Sequence, residues 1–482
     1  MRESLHTARV GSLVTRPPLT CKPGMPVVDV AASMDAHPAR AAVVLDDAGA
    51  PAGIVTDRDL RAKVLALRRD PACTTALDIM STPLATIDET AFAFDALLEM
   101  TRREIHHLVV VRDGIARGVL TSDDLLGLPA THPVLLAREI SRTTTVSDLA
   151  QLAARITELV RALVAQGTRA REIAAIVAEL NDRLVARALV LAEATIVTQR
   201  GAGAPAPYAW LLFGSEGRRE QTLRTDQDNG LVYADDVEPA RAAWFSDLAR
   251  EAIDALIAIG FPPCPGGAMA SNPAWCQPIS VWERYFITWL NEPTPAHVLA
   301  ASMYFDVRPL SEGEPLGGRL RSLVRHEGPR HRHFLSAMAR EVVDRALPRT
   351  VLGNVRVARS GPHRGTVDLK SGGSIQLVAA ARTHALELGY AETGTVPRFE
   401  AAAGAGVYDA DALARIVDAY DHLLHLRLAA QLEHLQAGTP PDNRVDPRRL
   451  PPRDRLLLRA AFDAAALVQE TVRDRYRTDL VG

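Results

Sequence analysis

Apolar and polar positions follow the same series twice within the first 130 residues. The segment Gly53–Leu60 reads Gly-Ile-Val-Thr-Asp-Arg-Asp-Leu, and Gly118–Leu125 reads Gly-Val-Leu-Thr-Ser-Asp-Asp-Leu, with equivalent threonines 65 residues apart. Apolar runs at Ala42–Leu45 and His107–Val110 precede these segments at the same offset, and turns containing glycine separate them. This pattern predicts two copies of a strand, helix, strand, turn, strand, helix unit.

The spacing of apolar residues becomes helical after residue 131. From Val146 to about residue 200 they recur every three or four positions, and Gly167 divides the series, which predicts a hairpin of two long helices. A buried strand is predicted at Trp210–Phe213, a second strand after Asp228 and a third at Cys264–Met269.

Amphipathic helices predominate beyond residue 325 and predict a helical bundle, with its last two helices at 452–463 and 464–478. The fold class expected for the chain is therefore α/β followed by α. We expect four parts, at residues 1–130, 131–200, 201–325 and 326–482.

A polar stretch separates the first two strands of the third part. It opens with Gly214 and Ser215, and a Gly-Ser turn after a strand lets backbone N–H groups approach an anion closely. It ends with Asp226 and Asp228, which share a face if they begin the second strand. Two carboxylates on one face repel each other unless a cation lies between them, as in the binding of a nucleoside triphosphate with Mg²⁺.

This stretch resembles the signature of the polymerase-β-type nucleotidyltransferases, above all the uridylyltransferase of nitrogen signalling and its adenylyltransferase relatives. Seven positions match in order: Gly214, Ser215, Arg218, Glu220, Thr225, Asp226 and Asp228. The resemblance implies transfer of a nucleoside monophosphate from a triphosphate, with ATP as the expected donor, to a hydroxyl of a protein or a small molecule. One departure is Asn229-Gly230, where apolar strand residues are usual.

The resemblance also implies roles for individual residues. Gly214, Ser215 and Thr225 would hold the triphosphate, and Arg218 would neutralise its developing charge. Asp226 and Asp228 would act as catalytic acids that bind Mg²⁺.

A third carboxylate is usual in these enzymes, and Asp306 is the candidate that the sequence offers, in a segment Asp-Val-Arg-Pro-Leu similar to one in the relatives. The alternative is a structural pair of Asp306 with Arg308. Without a third acid a general base is missing, and the chain would be a nucleotide-sensing module with little or no catalysis.

Lys370 is one of only three lysines in the chain. It lies in a glycine-rich turn, Lys-Ser-Gly-Gly-Ser, that precedes the predicted helix Ile375–Leu388. A lysine and a glycine-rich turn at a helix N-terminus predict an anion site, so Lys370 is a further candidate for binding the nucleotide.

The repeated ending Gly-h-h-Thr-x-x-Asp, where h is apolar, resembles that of the CBS domain, which works in tandem pairs. The resemblance implies that Thr56, Asp59, Thr121 and Asp124 bind the ribose and phosphates of an adenine nucleotide; the alternative is that they cap helices. It also implies a homodimer formed through the CBS pairs, and a dimerising scaffold is a further hypothesis for the whole chain.

Together these parts resemble the family of CBS-linked nucleotidyltransferases that are often labelled signal-transduction proteins. The expected order is a tandem CBS pair, a helical linker, a polymerase-β-type nucleotidyltransferase core and a C-terminal helical bundle.

Composition narrows the expected partners. The net charge of −3 gives no indication of a nucleic-acid partner. The four cysteines form no Cys-x-x-Cys pair, which favours a reducing compartment. No apolar run approaches the ~18 residues of a membrane span, so we expect a cytoplasmic protein without a membrane partner.

Overall fold

The computed structural model describes residues 8–14, 16–37, 40–125, 133–223, 226–311, 314–350 and 354–478. The chain forms two compact units. The first comprises residues 1–139 with 165–168, and the second comprises 140–164 with 169–482. Among the helices of the described residues, none combines the length and the apolar character that crossing a membrane requires.

The first unit contains short strands and helices in two similar series. Its elements are α1 (Val10–Leu13), β1 (Thr20–Cys21), α2 (Val27–Asp35), β2 (Ala41–Leu45), β3 (Pro51–Thr56), α3 (Asp57–Asp59), a π-helical segment (Leu60–Leu65), α4 (Ala76–Ile79), β4 (Thr86–Asp88), α5 (Ala93–Arg103), β5 (His107–Arg112), β6 (Ile115–Thr121) and α6 (Ser122–Leu125). Helix α7 (Pro133–Arg142) follows and continues into the residues of the second unit.

Two three-stranded sheets, β1-β2-β3 and β4-β5-β6, have the same topology, with a parallel pair followed by an antiparallel hairpin. The predicted repeat is therefore present. The sequence predicts that Ala42 and His107 are equivalent positions of the two copies. In the structure the equivalent positions are Ala41 and His107, because Ala41 pairs with Thr56 and His107 pairs with Thr121. The second hairpin is one residue shorter, and the predicted match of Ala42 with His107 was wrong for that reason.

The glycine that opens each repeated ending has a steric cause. A Cβ atom on Gly53 would lie 2.5 Å from Sδ of Met80, and one on Gly118 would lie 2.0 Å from Cγ1 of Val14. In each hairpin an apolar side chain therefore packs directly on the backbone of the glycine, and any larger residue at that position would clash with it.

The second unit is longer and mostly helical. Its elements are α8 (Val146–Ala165), α9 (Ala170–Arg200), β7 (Tyr208–Leu212), α10 (Gly214–Gly217), β8 (Asn229–Tyr233), α11 (Pro239–Ile259), β9 (Cys276–Pro278), α12 (Ile279–Asn291), α13 (Pro295–Tyr304), β10 (Arg308–Pro309), α14 (Pro315–Glu327), α15 (Arg332–Asp344), β11 (Val367–Asp368), α16 (Ile375–Leu388), α17 (Thr395–Gly404), α18 (Ala410–Gln436), β12 (Arg444–Val445) and α19 (Pro452–Tyr476). A π-helical segment, Lys370–Ser374, runs directly into α16.

A four-stranded sheet of order β10-β7-β8-β9 lies in the third of the four predicted parts, residues 201–325. The predicted strand at Cys264–Met269 is wrong, because these residues form turns and irregular structure, and β9 pairs in parallel with β8 instead. Gly230, the unusual residue at the start of β8, lies under two aromatic rings. A Cβ atom there would be 2.9 Å from Trp282 and 3.1 Å from Phe213, so aromatic packing on the sheet accounts for the departure from an apolar strand residue.

The helical bundle packs around α16, α18 and α19. Buried residues of all three helices share one core, among them Leu377, Leu423 and Phe462. The two last helices predicted from the sequence are one continuous helix, α19. The bundle also carries the short antiparallel ribbon β11-β12 just before the Lys370 segment.

Candidate functional site

The Gly-Ser turn and the second aspartate of the motif meet at the end of β7. The N–H of Phe213 donates to the carbonyl of Asp228 at 2.9 Å, which continues the β7–β8 ladder by one residue. Gly214 then adopts a left-handed conformation with φ of 53°. A Cβ atom on Gly214 would lie 2.7 Å from Oδ2 of Asp228. The carboxylate of Asp228 can therefore lie against the turn only because residue 214 has no side chain.

Asp228 is half-buried, and burial together with its neighbours determines the pKa of its carboxyl. Burial raises the pKa of its carboxyl, and the negative charge of Asp226 adds to that rise. A hydrogen bond from the Cys264 thiol and the positive charges of Lys370 and Arg218 oppose it. Asp226 itself is exposed. An additional cation beside the pair would lower the free energy of the ionised form further.

Asp306 lies in a different environment from the one predicted. It is fully buried, and its two carboxylate oxygens accept hydrogen bonds from Arg382 at 2.6 and 3.0 Å, from Arg398 at 2.7 Å and from Arg218 at 2.7 Å. Burial alone would raise the pKa of Asp306, but the three guanidinium charges hold it well below its usual range. A carboxylate with its oxygens engaged in this way has no free lone pair for a metal ion, so the prediction of a third catalytic acid is corrected.

Arg218, predicted to bind phosphate, and Arg308, predicted as the alternative partner of Asp306, both form ion pairs with other residues. Arg218 pairs with Glu220 and with Asp306, both at 2.7 Å, and its side chain is only 12% exposed. Burial would lower the pKa of Arg218, and these carboxylates raise it instead. Arg308 pairs with Asp182 at 2.8 Å rather than with Asp306. The structure therefore assigns Arg218 to an internal ion-pair network and not to a phosphate-facing position.

Much of the motif joins the sheet to the helical bundle. Glu220 accepts from the N–H and the hydroxyl of Thr395 at 2.6 and 3.0 Å. Thr393 donates to the carbonyl of Gly217 at 2.7 Å, and Thr222 donates to Gln431 at 2.6 Å. Sequence reasoning missed this role, because the partners lie more than 170 residues away and no local pattern connects them.

Gly217, the second glycine of the motif, belongs to the same contact. A Cβ atom on it would lie 2.0 Å from the carbonyl oxygen of Asp306. The backbone of the motif thus passes directly against the backbone of the arginine-bound aspartate, and any side chain at Gly217 would separate them.

Glu216 is an acid that sequence reasoning missed. Its side chain is almost fully buried and accepts a hydrogen bond from Gln221 at 3.0 Å. Burial is the main cause that raises the pKa of Glu216 well above its usual range, and the charges of Asp228 and Asp182 add to it. A buried carboxyl that favours its protonated form therefore lies within electrostatic reach of Asp228.

Lys370 comes from the bundle and is exposed. The backbone N–H groups predicted to bind an anion here already have an acceptor within the chain. Those of Lys370 and Ser371 donate to Oδ1 of Asp368 at 2.9 and 3.0 Å. The ammonium group of Lys370 is the part that remains for a ligand, and its charge acts on Asp228. Gly214 and Asp228 of the motif thus lie in contact, and Lys370, from a distant part of the sequence, acts on the same carboxylate through its charge.

Ser215 lies in α10, where its carbonyl accepts from the N–H of Glu220 at 2.9 Å. Thr225 lies outside the described residues. Within the described part of the chain, no group of three or more His, Cys, Asp or Glu side chains is arranged to hold a metal ion. A cation at Asp226 and Asp228 would therefore take its further oxygen ligands from water or from a substrate.

The four residues predicted to bind a nucleotide in the first unit line a single cleft of 970 Å³: Thr56, Asp59, Thr121 and Asp124. Basic side chains also line it, among them Arg58 and Arg61. Each aspartate accepts from the N–H and the hydroxyl of its threonine, so the helix-capping interpretation also holds. Asp59 accepts further from Ser81 and Lys63.

Several parts of the chain match known protein families. Residues 10–66 and 76–130 match the CBS domain, residues 154–296 match the family described as "Putative nucleotidyltransferase DUF294", and residues 332–476 match "Putative nucleotidyltransferase substrate binding domain". The combination defines a nucleotidyltransferase-type protein with a CBS pair. The chain belongs to the family of CBS-linked nucleotidyltransferases, as the sequence predicted.

Individual relatives resemble parts of the chain. An uncharacterized protein of Methanopyrus kandleri is 32% identical over 134 residues, which is 28% of this chain and 67% of that protein. A CBS domain protein of Pyrobaculum aerophilum, solved as a complex with AMP, is 28% identical and covers 27% of this chain and 96% of its own, with a TM-score of 0.24. The CBS domain of a membrane protein from Sphaerobacter thermophilus is 26% identical and covers 26% and 90%, with a TM-score of 0.23.

Proposed function

We propose that the second unit binds a nucleoside triphosphate with Mg²⁺ and transfers its nucleoside monophosphate to a hydroxyl of a protein or a small molecule. The observation that carries this proposal is the contact between Gly214 and Asp228, because it brings the backbone of an anion-binding turn against a metal-binding type of carboxylate. The family match to nucleotidyltransferases supports it.

Each residue of the proposed site has a role that its side chain or backbone chemistry supports. Asp226 and Asp228 supply carboxylate oxygens for Mg²⁺, which prefers few protein ligands and several from substrate phosphates. The turn at Gly214 and Ser215 holds the phosphate chain, and Lys370 offsets its charge. When bound, the cation would stabilise the negative charge that develops on the transferred phosphoryl group.

A second candidate is a nucleotide-sensing module without turnover. The position of Asp306 favours it, because the acid expected to activate the acceptor is bound by three arginines. Glu216 is a buried acid within electrostatic reach of Asp228, but burial raises its pKa well above the usual range, which makes it a poor general base. The two candidates agree on nucleotide binding and differ only in the chemical step.

Regulation is proposed to enter through the CBS pair. The cleft in the first unit is lined by both acidic and basic side chains, a combination suited to the ribose hydroxyls and phosphates of an adenine nucleotide.

A homodimer through the CBS pairs is proposed as well. Large apolar side chains exposed on this unit support it, with Leu65 at 67%, Leu67 at 59% and Leu77 at 57% exposure.

The test is incubation of the full chain with α-³²P-labelled ATP, UTP, GTP and CTP and Mg²⁺, with and without cell lysate. Under the first candidate, label enters a protein or a small molecule, and Asp226→Asn and Asp228→Asn abolish the incorporation. Asp236→Asn is the matched control, because Asp236 is exposed and lies shortly after β8. Binding of Mg²⁺ and ATP without incorporation would favour the sensing module, and the absence of both would exclude the two candidates.

A further inference from the structure

Five arginines line one cavity of the helical bundle, and none of the residues that line it belongs to the site at Gly214. The cavity has a volume of 540 Å³. Its arginines are Arg359, Arg364, Arg448, Arg455 and Arg459. No aspartate or glutamate is among the eleven described residues that line it, so the charge of its wall is strongly positive.

Three separate segments of the chain deliver these arginines. Arg359 and Arg364 lie in a loop that two backbone hydrogen bonds close, from Ala358 to Thr366 and from Gly365 to Ala358, both at 2.9 Å. Arg448 lies in the segment between β12 and α19. Arg455 and Arg459 follow one turn apart at the start of α19, and side chains four residues apart share one helix face.

Gly365 shows that the loop and Arg448 approach closely. This glycine has a φ of 84°, and a Cβ atom on it would lie 2.8 Å from Nη2 of Arg448. A residue with a side chain would both strain the backbone and displace the guanidinium group. The backbone of the loop and the guanidinium group of Arg448 therefore lie against each other in the wall of the cavity.

Carboxylates balance little of this charge. Arg448 pairs with Asp446 at 3.1 Å. The other four arginines form no ion pair with the described residues, and the pair on α19 brings like charges together one helical turn apart. The arginines around Asp306 converge on an anion that the chain itself supplies, whereas the cavity arginines face solvent.

We infer that this cavity binds a small polyphosphate anion, either free or as the phosphate chain of a nucleotide. Guanidinium groups match phosphate oxygens in a planar, two-bond geometry, so several arginines around one concavity favour an anion with several phosphates. The volume lies within the ~300–1,000 Å³ of small-molecule sites. The inference is independent of nucleotidyl transfer, because it uses no residue of the Gly214 site.

The experiment is calorimetric titration of the full chain with sodium tripolyphosphate, in buffer with physiological salt and without Mg²⁺. Hydrogen–deuterium exchange of the same samples locates the binding. We expect tripolyphosphate to protect peptides that cover residues 354–366 and 446–460. The double variant Arg455→Gln/Arg459→Gln should lose this protection and about tenfold of the affinity at this site.

The matched control is Arg332→Gln/Arg415→Gln, which removes two exposed arginines from the same bundle outside the cavity. It should keep both the protection and the affinity. If the cavity double variant melts at a lower temperature than the wild type, Arg459→Gln alone replaces it. The conservative Arg455→Lys/Arg459→Lys variant should bind with intermediate affinity, because it keeps the charge and loses the two-bond geometry.

Three results would overturn the inference. Tripolyphosphate leaves both peptides unprotected; the control variant loses as much affinity as the cavity variant; or a single-stranded 20-nucleotide DNA protects the same peptides with higher affinity than tripolyphosphate. The last result would assign the cavity to nucleic acid. Comparison of ATP with tripolyphosphate separates the two sources of the anion, since equal affinities indicate recognition of the phosphate chain alone.

Discussion

Gly214 and Asp228, fourteen positions apart in the sequence, lie so close that a Cβ atom on the glycine would be 2.7 Å from Oδ2 of the aspartate. The antiparallel pairing of β7 with β8 produces this contact, since the last hydrogen bond of the ladder joins Phe213 to Asp228. The turn and the carboxylate are therefore positioned by the sheet, and a site held by regular elements keeps its geometry more precisely than one on loops.

Gly214→Ala tests this contact directly. The new methyl group would meet the Asp228 carboxylate, and the left-handed backbone would cost roughly 1 kcal/mol in addition. We expect the affinity for Mg²⁺ with ATP to fall by about tenfold or more, while the chain remains folded. Calorimetry measures the affinity and urea denaturation measures the stability.

Gly318→Ala is the control for that change, because a Cβ atom on Gly318 meets nothing within 4 Å and the residue lies inside α14. This variant should bind as the wild type does and be slightly more stable. Equal affinities of the wild type and Gly214→Ala would remove the turn from the proposed site.

The sequence predicts much of this arrangement, because the information is local. The strand before Gly214, the turn and the acids before β8 each leave a pattern of apolar, glycine and acidic residues within a few positions. The repeat of the CBS pair is visible for the same reason, since each copy must bury the same strands.

The partners of Arg218 and Asp306 could not be predicted in the same way. Arg218 lies 88 residues before Asp306, and Arg382 and Arg398 lie 76 and 92 residues after it. A short segment such as Asp-Val-Arg-Pro-Leu shows that a charge is present but does not show whether it faces a cleft or the interior. Burial of that segment between sheet and bundle decides the matter, and burial depends on the packing of distant helices.

Asp306→Asn should destabilise the chain strongly. It removes the shared negative charge from three buried arginines, and breaking a buried ion pair costs about 3–5 kcal/mol. Urea denaturation with circular dichroism measures the loss. Asp226→Asn, at an exposed position, should change the unfolding free energy by less than about 0.5 kcal/mol. A stable Asp306→Asn variant that fails only in nucleotide transfer would return Asp306 to the catalytic set.

Lys370→Gln should weaken nucleotide binding and shift its pH dependence. The charge of Lys370 lowers the pKa of Asp228, so its removal should raise that pKa and move the midpoint of Mg²⁺ and ATP binding to higher pH. Stability should change little, because the side chain is exposed. Titrations at several pH values measure the midpoint, with Lys22→Gln, an exposed lysine of the first unit, as control. An unshifted midpoint would separate Lys370 from the site.

The CBS cleft is better tested through its arginines than through its aspartates. Asp59 is buried and accepts from Thr56, Ser81 and Lys63, so replacing it would disturb the fold as well as the cleft. Arg58→Gln/Arg61→Gln alters two exposed residues that line the cleft.

An adenine nucleotide should raise the melting temperature of the wild-type chain, and this double variant should lose most of the rise. Arg69→Gln/Arg117→Gln changes two exposed arginines of the same unit that do not line the cleft, and should keep it. A nucleotide that stabilises all three proteins equally would place its binding elsewhere.

His384 gives the helical bundle a predictable sensitivity to acid. Its imidazole is fully buried, with the hydroxyl of Tyr408 2.9 Å from Nε2 and that of Tyr476 3.1 Å from Nδ1. Burial lowers the pKa of His384 from 6.5 to about 4. The unfolded chain therefore binds a proton at a pH where the folded chain does not, and the stability present above pH 6.5 is lost as the pH falls towards 4.

For one group with these pKa values, the loss between pH 7.5 and pH 5 is about 2 kcal/mol of unfolding free energy. His384→Gln keeps hydrogen-bonding capacity but cannot titrate, so its stability should fall by about 2 kcal/mol less than that of the wild type over this interval. Urea denaturation at both pH values gives the difference, in which the titration of all other groups cancels. His333→Gln, at an exposed position, should behave as the wild type does. If His384→Gln loses as much stability in acid as the wild type, the imidazole takes up its proton at the same pH in the folded and the unfolded chain. At pH 5 the two tyrosine hydroxyls must then both accept hydrogen bonds from it.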